Sequence, residues 1–118
     1  MSLRIEKLSK QFQREVSDII RELKDPDIGF VTVTNVRISK NIGKAIIFVS
    51  VLGDDEIVKK TMEGLKRARG FVRREVAKRI VIKFIPEIDF ELDLLTEKIG
   101  KTLSLIRTLN SEKKNEEK

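Results

Sequence analysis

The feature of this sequence that most constrains its fold is a hydrophobic period that changes along the chain. Apolar residues recur every three or four positions from Ile5 to Leu23, which predicts an amphipathic helix. Residues 30–39 and 45–52 are rich in β-branched residues and predict a β-hairpin, and the helical spacing returns between residues 54 and 79. The spacing then becomes two from Ile80 to Leu92. This order of elements predicts an α+β domain in which helices cover one face of a three-stranded sheet.

Three details of the strand segments predict how they sit in the sheet. The alternation changes phase in the middle of the first strand, which predicts a β-bulge at Thr34 or Asn35. Residues 45–52 are apolar on both phases, so this strand is predicted to have little exposure. Pro86 lacks an N–H group for the ladder and predicts an edge position or a bulge. The residues predicted to be buried around the last helix and strand are Phe71, Val72, Val76, Ile80, Ile82 and Phe84.

The helical segment that ends near residue 79 is predicted to break at Ala68-Arg69-Gly70. A glycine at this position is explained either by a positive φ or by the close approach of another backbone, because glycine has no Cβ. A final short helix is predicted near residues 99–109, and the charged residues 110–118 are predicted to be a disordered tail. With 118 residues in total, the chain suits one domain, predicted over residues 1–109.

The composition excludes several classes of protein. The chain has no Cys, and therefore no disulfide or Cys-ligated metal, and no His, the commonest general base and metal ligand. No apolar run approaches the ~20 residues of a membrane helix, and residues 1–10 lack the apolar core of a signal peptide. We therefore predict a soluble cytoplasmic protein with no metal and no cofactor.

Positive charge is concentrated in one window of the sequence. The chain has 25 basic and 19 acidic residues and a net charge of +6, yet residues 59–83 alone carry a net charge of +8. Such a cluster can bind a polyanion, although a solvated helix face is an equally weighted alternative. A helix that starts after Gly70 would add backbone N–H groups for phosphate oxygens. The residues predicted to bind RNA are Lys66, Arg67, Ala68, Arg69, Gly70, Arg73, Arg74 and Lys78.

Negative charge alternates along the last strand. Glu87, Asp89, Glu91 and Asp93 lie at strand spacing and would share one face. A small hydrolase that uses Asp89 and Asp93 with magnesium is therefore one hypothesis. The favoured interpretation is a solvent-facing strand whose charges oppose edge-to-edge pairing. The six Phe residues fall mostly in apolar phases and indicate core packing rather than base stacking.

Three segments of the sequence, in order, match motifs of one protein family. Residues 23–36 read LKDPDIGFVTVTNV, residues 44–53 read KAIIFVSVLG, and residues 68–93 read ARGFVRREVAKRIVIKFIPEIDFELD. The third segment contains an Ala-x-Gly kink, a Gly-Phe-hydrophobic-Arg helix start, and a strand with Pro-Glu followed by Phe and Asp. From about Arg4 to Leu109, the chain resembles the ribosome-binding factor A family of bacteria.

The resemblance implies a type II KH-like fold with the order helix, strand, strand, helix, kink, helix, strand. It also implies a sheet ordered 2-1-3, with the third strand parallel to the first. In this family an interhelical Ala-x-Gly kink replaces the G-x-x-G loop of ordinary KH domains. The sequence agrees, because it has Ala68-Arg69-Gly70 and no G-x-x-G.

The resemblance further implies a function without catalysis. Members of the family bind the free small ribosomal subunit and its 16S rRNA late in assembly, assist maturation of the rRNA 5′ region, and matter most for growth in the cold. A monomer without a membrane partner is expected. The alternative is a general KH-type or helix-turn-helix nucleic-acid-binding protein that acts away from the ribosome.

Overall fold

The computed structural model describes residues 3–94, in which three helices and three strands follow one another in the predicted order. The predicted helix near residues 99–109 and the tail at 110–118 lie outside the described residues. The elements are α1 (Leu3–Glu22), β1 (Phe30–Ile38), β2 (Lys44–Leu52), α2 (Asp55–Arg67), α3 (Arg69–Arg79) and β3 (Glu87–Leu92).

The first helix, α1, buries the predicted apolar stripe against the sheet. It has 20 residues and ends at Glu22, shortly before Asp25-Pro26. This position is expected because the residue before a proline avoids the α region. The stripe residues that become buried are Leu8, Phe12, Val16, Ile19 and Ile20. The predicted helix and its buried face are confirmed.

The hairpin of β1 and β2 contains the predicted bulge. The antiparallel register places Val33 opposite Val49 and Asn35 opposite Phe48, so Thr34 is the extra residue. The Thr34 hydroxyl donates a 2.6 Å hydrogen bond to the carboxylate of Asp93. The bulge therefore connects β1 to the chain that leaves β3.

The order of the strands differs from the order implied by the family resemblance. The sheet is ordered β1-β2-β3, and β3 pairs in parallel with β2 from Lys44↔Glu87 to Val49↔Leu92. The implied order 2-1-3, with the third strand parallel to the first, is wrong for this chain. The central strand is the one that is apolar on both phases, since neighbours on both sides shield its outward-facing residues as well.

The last strand is shorter than its apolar alternation predicts. Helix α3 extends to Arg79, and Ile80 caps it in an extended conformation. Residues 81–86 are irregular, and β3 begins at Glu87. The cause is Pro86, which cannot donate to the ladder. The first ladder donor is therefore the Glu87 N–H group, which lies 3.0 Å from the Gly43 carbonyl oxygen.

Two of the predicted core residues are exposed. Phe84 is 73% exposed because it lies in the irregular segment before Pro86, where no strand pairing turns it inward. Phe71 is 41% exposed, since the buried stripe of α3 runs through Val72 and Val76. The burial predicted for both Phe residues is wrong. The burial predicted for Val72, Val76 and Ile80 is confirmed, and Ile82 packs half-buried against the core.

The helices α1, α2 and α3 together cover one face of the sheet, as predicted. Phe12 and Phe90 are fully buried and are the largest side chains between these layers. Among the helices of residues 3–94, none is long and apolar enough to cross a membrane.

We predict that Phe90→Ala lowers the free energy of unfolding by about 3–5 kcal/mol, because it empties a closely packed site. The matched change Phe84→Ala should alter it by less than about 0.5 kcal/mol, since the side chain is largely exposed. Urea denaturation of both variants measures the difference. An equal loss in the two variants would contradict the placement of β3 and of residues 81–86.

Candidate nucleic-acid interface

The predicted break between the two basic helices lies at Ala68. This residue ends α2 and precedes α3, with φ −83° and ψ −1°. Its N–H group is shared between the carbonyl oxygens of Gly64 and Leu65, both at 3.1 Å. No side chain of residues 3–94 caps the N-terminus of α3. The helical pattern is therefore interrupted at one residue, and we call this junction, together with the first turn of α3, the bend.

Gly70 lies exposed in that first turn. Among residues 3–94, a positive backbone angle φ occurs at Ile42 and Gly53. Of the two explanations offered for Gly70, a positive φ is therefore wrong, and the close approach of another backbone remains. A Cβ atom at Gly70 would lie 3.4 Å from Nη1 of Arg74, which is an ordinary contact. At Gly64, by contrast, a Cβ atom would lie 2.7 Å from Cγ1 of Ile28. Packing within the protein thus accounts for Gly64 and does not account for Gly70.

Arg73 is held at the bend by backbone carbonyls. Its Nε donates to the Pro86 carbonyl oxygen at 3.1 Å, and its Nη2 donates to that of Ile85 at 2.8 Å. Carbonyl groups orient a guanidinium without cancelling its charge. Arg73 therefore combines a structural role, as the anchor of residues 85–86, with a positive charge beside the first turn of α3.

Asp89 forms ion pairs with two of the predicted RNA-binding cations. Its Oδ1 lies 3.2 Å from Nη1 of Arg69 and 3.5 Å from Nζ of Lys66. Partial burial raises the pKa of Asp89, but the Phe90 N–H group and the two cations lower it more, so the pKa lies below its ordinary value. The carboxylate is consequently ionised at neutral pH and holds both cations near the bend.

Arg67 clamps the loop between α1 and β1 to the end of α2. Its Nη2 lies 2.9 Å from the Asp27 carboxylate and 3.2 Å from that of Asp25. The pKa of Asp25 lies below its usual value, chiefly because the Asp27 N–H group donates to its carboxylate and further because of Arg67. The buried Thr61 hydroxyl strengthens the same clamp by accepting the Gly29 N–H group at 3.1 Å.

Arg74 and Lys78 lie on the exposed side of α3. Lys78 pairs with Glu75 at 2.9 Å, and this contact is the main reason that the pKa of Glu75 lies below its usual value. No carboxylate of residues 3–94 lies within 4.0 Å of the Arg74 guanidinium, which folds back over Gly70. Of the predicted cations, Arg73 and Arg74 thus keep their charge without a carboxylate partner among the described residues.

A shallow groove of about 450 Å³ runs between the first turn of α3 and β3. Its wall contains Arg69, Gly70 and Arg73, which belong to the residues predicted to bind RNA, and the acidic residues Glu87 and Asp89. It also contains Lys44, which sequence reasoning missed. Lys44 enters because the parallel register sets it opposite Glu87. Only the correct strand order could have revealed this neighbour.

The alternating acidic residues on and just after β3 contact the basic helices and the β1 bulge, or are exposed to solvent. Asp89 pairs with cations, Asp93 accepts from Thr34, and Glu87 and Glu91 are exposed. Within residues 3–94, no group of three or more acidic side chains is arranged to hold a metal ion. The magnesium site that the hydrolase hypothesis requires is therefore not formed by these residues within residues 3–94.

Comparison with known proteins points to one family. The family model of ribosome-binding factor A matches residues 4–106. The chain is similar to the solution NMR structure of a candidate ribosome-binding factor A from Thermotoga maritima, with 35% identity over 77% of this chain and 88% of that chain, and a TM-score of 0.70.

Two structures from Thermus thermophilus are also similar. The crystal structure of ribosome-binding factor A from this organism shares the fold at 24% identity, over 75% of this chain and 93% of that chain, with a TM-score of 0.69. A homology model of the Thermus factor, fitted into a cryo-EM map of its complex with the 30S subunit, matches at 25% identity, over 70% of this chain and 88% of that chain, with a TM-score of 0.60.

We predict that Asp89→Asn lowers the free energy of unfolding at neutral pH and has no effect in strong acid. A carboxylate whose pKa is depressed in the folded state stabilises the fold above its unfolded-state pKa, about 3.9 for Asp, and this contribution is lost as the pH falls through the folded-state pKa. Asn keeps an oxygen that can accept the Phe90 N–H group, so the substitution removes mainly charge.

Urea denaturation at a series of pH values measures this effect. The difference between wild type and Asp89→Asn should close below about pH 3.9. Glu91→Gln, an exposed position on the same strand, is the matched control and should change stability by less than about 0.5 kcal/mol throughout. A difference that persists at the acid end would mean that charge pairing is not the cause.

Proposed function

The chain belongs to the ribosome-binding factor A family, and from this premise we propose that it binds the free small ribosomal subunit through 16S rRNA and acts late in the assembly of that subunit. Assistance to maturation of the rRNA 5′ region, with its greatest effect on growth in the cold, is part of the proposal. So are a cytoplasmic location and the absence of catalysis. The observation that carries the proposal is the bend at Ala68, where the exposed Gly70 lies beside Arg69, Arg73 and Arg74.

The bend suits an RNA backbone for three physical reasons. Gly70 leaves the surface flat, so a sugar–phosphate chain can approach the helix closely. The N-terminus of α3 receives no cap from the described side chains, and helix N-termini favour anionic groups. Arg73 and Arg74 supply charge that described carboxylates do not cancel. Together these features match phosphate recognition, which supplies most of the affinity in sequence-independent RNA binding.

The remaining predicted cations bind RNA by exchanging a carboxylate of the protein for an RNA phosphate. Lys66 and Arg69 are about half exposed and share the single carboxylate of Asp89. Exposed ion pairs are worth only about 0–1 kcal/mol, so an RNA phosphate can replace Asp89 at little cost. Lys78 and Arg67 flank the bend on either side. The proposed RNA-binding residues are therefore Lys66, Arg67, Ala68, Arg69, Gly70, Arg73, Arg74 and Lys78.

The first test is sedimentation with ribosomal particles. In a sucrose gradient the protein should comigrate with free small subunits rather than with whole ribosomes. Arg74→Ala should weaken this binding and lower the slope of log affinity against log salt by about one, as expected for the loss of a phosphate contact. Arg74 is preferred to Arg73 as the test position, because replacing Arg73 would also release residues 85–86.

Lys59→Ala is the matched control for Arg74→Ala. Both changes remove one exposed cation from the same helix pair, but Lys59 lies near the start of α2, away from the bend. An equal loss of binding in both variants would mean that net charge, and not the bend, determines affinity. Sedimentation with no ribosomal particle would contradict the proposed function itself and would favour a nucleic-acid-binding role away from the ribosome.

We predict that Gly70→Ala raises stability and weakens small-subunit binding. The glycine has helical backbone geometry and room for a Cβ atom, so Ala should stabilise the free protein by up to about 1 kcal/mol through helix propensity. The added methyl group would stand between the helix and an approaching backbone. Thermal melting and subunit binding measured on one sample test both effects. A variant that melts higher and binds like wild type would show that the bend does not contact RNA.

A further inference from the structure

Residues 81–84 and the start of α1 form an exposed apolar surface outside the core. Val81 is 100% exposed, Phe84 73% and Leu3 64%. The segment is nevertheless anchored at both ends, since Ile80 and Pro86 are buried and Arg73 binds the carbonyl groups of residues 85 and 86. An exposed apolar surface that is held in place in this way is typical of an interaction site.

The groove beside this segment is positively charged. It has a volume of about 740 Å³ and lies between residues 81–83 and the first turns of α1. Its charged lining residues among residues 3–94 are Arg4, Lys7 and Lys83, and that part of the lining includes no carboxylate. In the described part of the chain none of the three cations has a carboxylate within 4.0 Å. The Lys83 ammonium lies 5.6 Å from the centroid of the Phe84 ring, which places charge and aromatic surface side by side.

We propose that this surface, formed by Arg4, Lys7, Lys83 and Phe84, is a second RNA site that binds a single-stranded segment by base stacking. One base stacks on the Phe84 ring, and the cations bind the neighbouring phosphates. Single-stranded RNA sites combine these two elements, because every base has a π-face and every linkage has a charge. The surface is separate from the bend, but the Arg73 contacts to residues 85 and 86 join the two, so one RNA strand can follow both.

The charge of the groove favours RNA over a protein as the occupant. An apolar surface alone would fit either kind of molecule. The three cations, with no carboxylate among the described lining residues, favour an anionic partner over a basic one, and the family of this chain directs it to a ribosomal particle. The inference thus rests on the proposed function and adds to it a single-stranded target and a stacking residue.

The absence of tryptophan and tyrosine provides a direct test. In Phe84→Trp the only indole of the protein reports on the proposed stacking site, and its fluorescence should be quenched when an oligouridylate of about twelve nucleotides is added. Phe30→Trp is the matched control. Residue 30 is 70% exposed but borders the other end of α1, near Ile20 and Arg21, so its fluorescence should not change.

Phe84→Ala should lower the affinity for the same oligonucleotide by about 5-fold to 150-fold, the equivalent of one lost stacked base at roughly 1–3 kcal/mol. Its melting temperature should equal that of wild type, because the ring is exposed. Phe84→Trp should retain wild-type affinity, since the larger ring also stacks.

Each failure has a distinct meaning. Suppose that wild type binds both the oligonucleotide and the small subunit, but the indole of Phe84→Trp is not quenched and Phe84→Ala binds like wild type. The stacking site is then refuted, and the proposed function stands. If Phe84→Ala weakens subunit binding alone, Phe84 contacts a protein and the RNA assignment is wrong. If wild type binds neither RNA nor subunits, the proposed function fails as well.

Discussion

The parallel pairing of β3 with β2 is the contact on which the rest of the structure depends. A parallel strand cannot follow its neighbour through a tight turn, so the chain must return along the length of the sheet before it pairs. Helices α2 and α3 make this return, and the Glu87 N–H group ends it at the Gly43 carbonyl oxygen. Helix α2 packs on β2 and β3, whereas α3 packs on α1 and β3. The break at Ala68 permits both packings, and it also creates the bend that we propose as the RNA site.

Carboxylates divide the basic cluster into cations that hold the fold and cations that remain available. Arg67 binds the loop before β1, and Arg79 lies among Glu15, Glu22 and Glu75 between α3 and α1. The positive charges of Arg67 and Arg79 are therefore largely balanced by carboxylates of the protein itself. Arg73 and Arg74 point their charge at carbonyl groups or solvent, and the Asp89 pair holds Lys66 and Arg69 only weakly. The net charge of +8 in residues 59–83 therefore overstates the charge that RNA would meet.

The sequence by itself determined what depends on neighbouring residues. Spacing of apolar residues located α1 and the buried stripe of α3. The change of phase in β1 located the bulge at Thr34 or Asn35, and the register of the structure identifies Thr34. The break near Ala68 and the family resemblance both followed from motifs of adjacent residues, because such motifs can be recognised in the sequence without knowledge of the fold. These features are local, since backbone period and steric preference act within a few residues.

Only the tertiary structure decided the order of the strands, the exposure of Phe84 and the division of the cations. Arg67 meets Asp25 across 42 residues of sequence, and Arg79 meets Glu22 across 57. Alternation from Ile80 to Leu92 could not show that pairing starts only after Pro86, because a period reports which side chains share a face and not whether a partner strand is present. The burial and the ion pairs of a side chain depend on its neighbours in the folded protein. Those neighbours are set by the packing of elements that are distant in sequence.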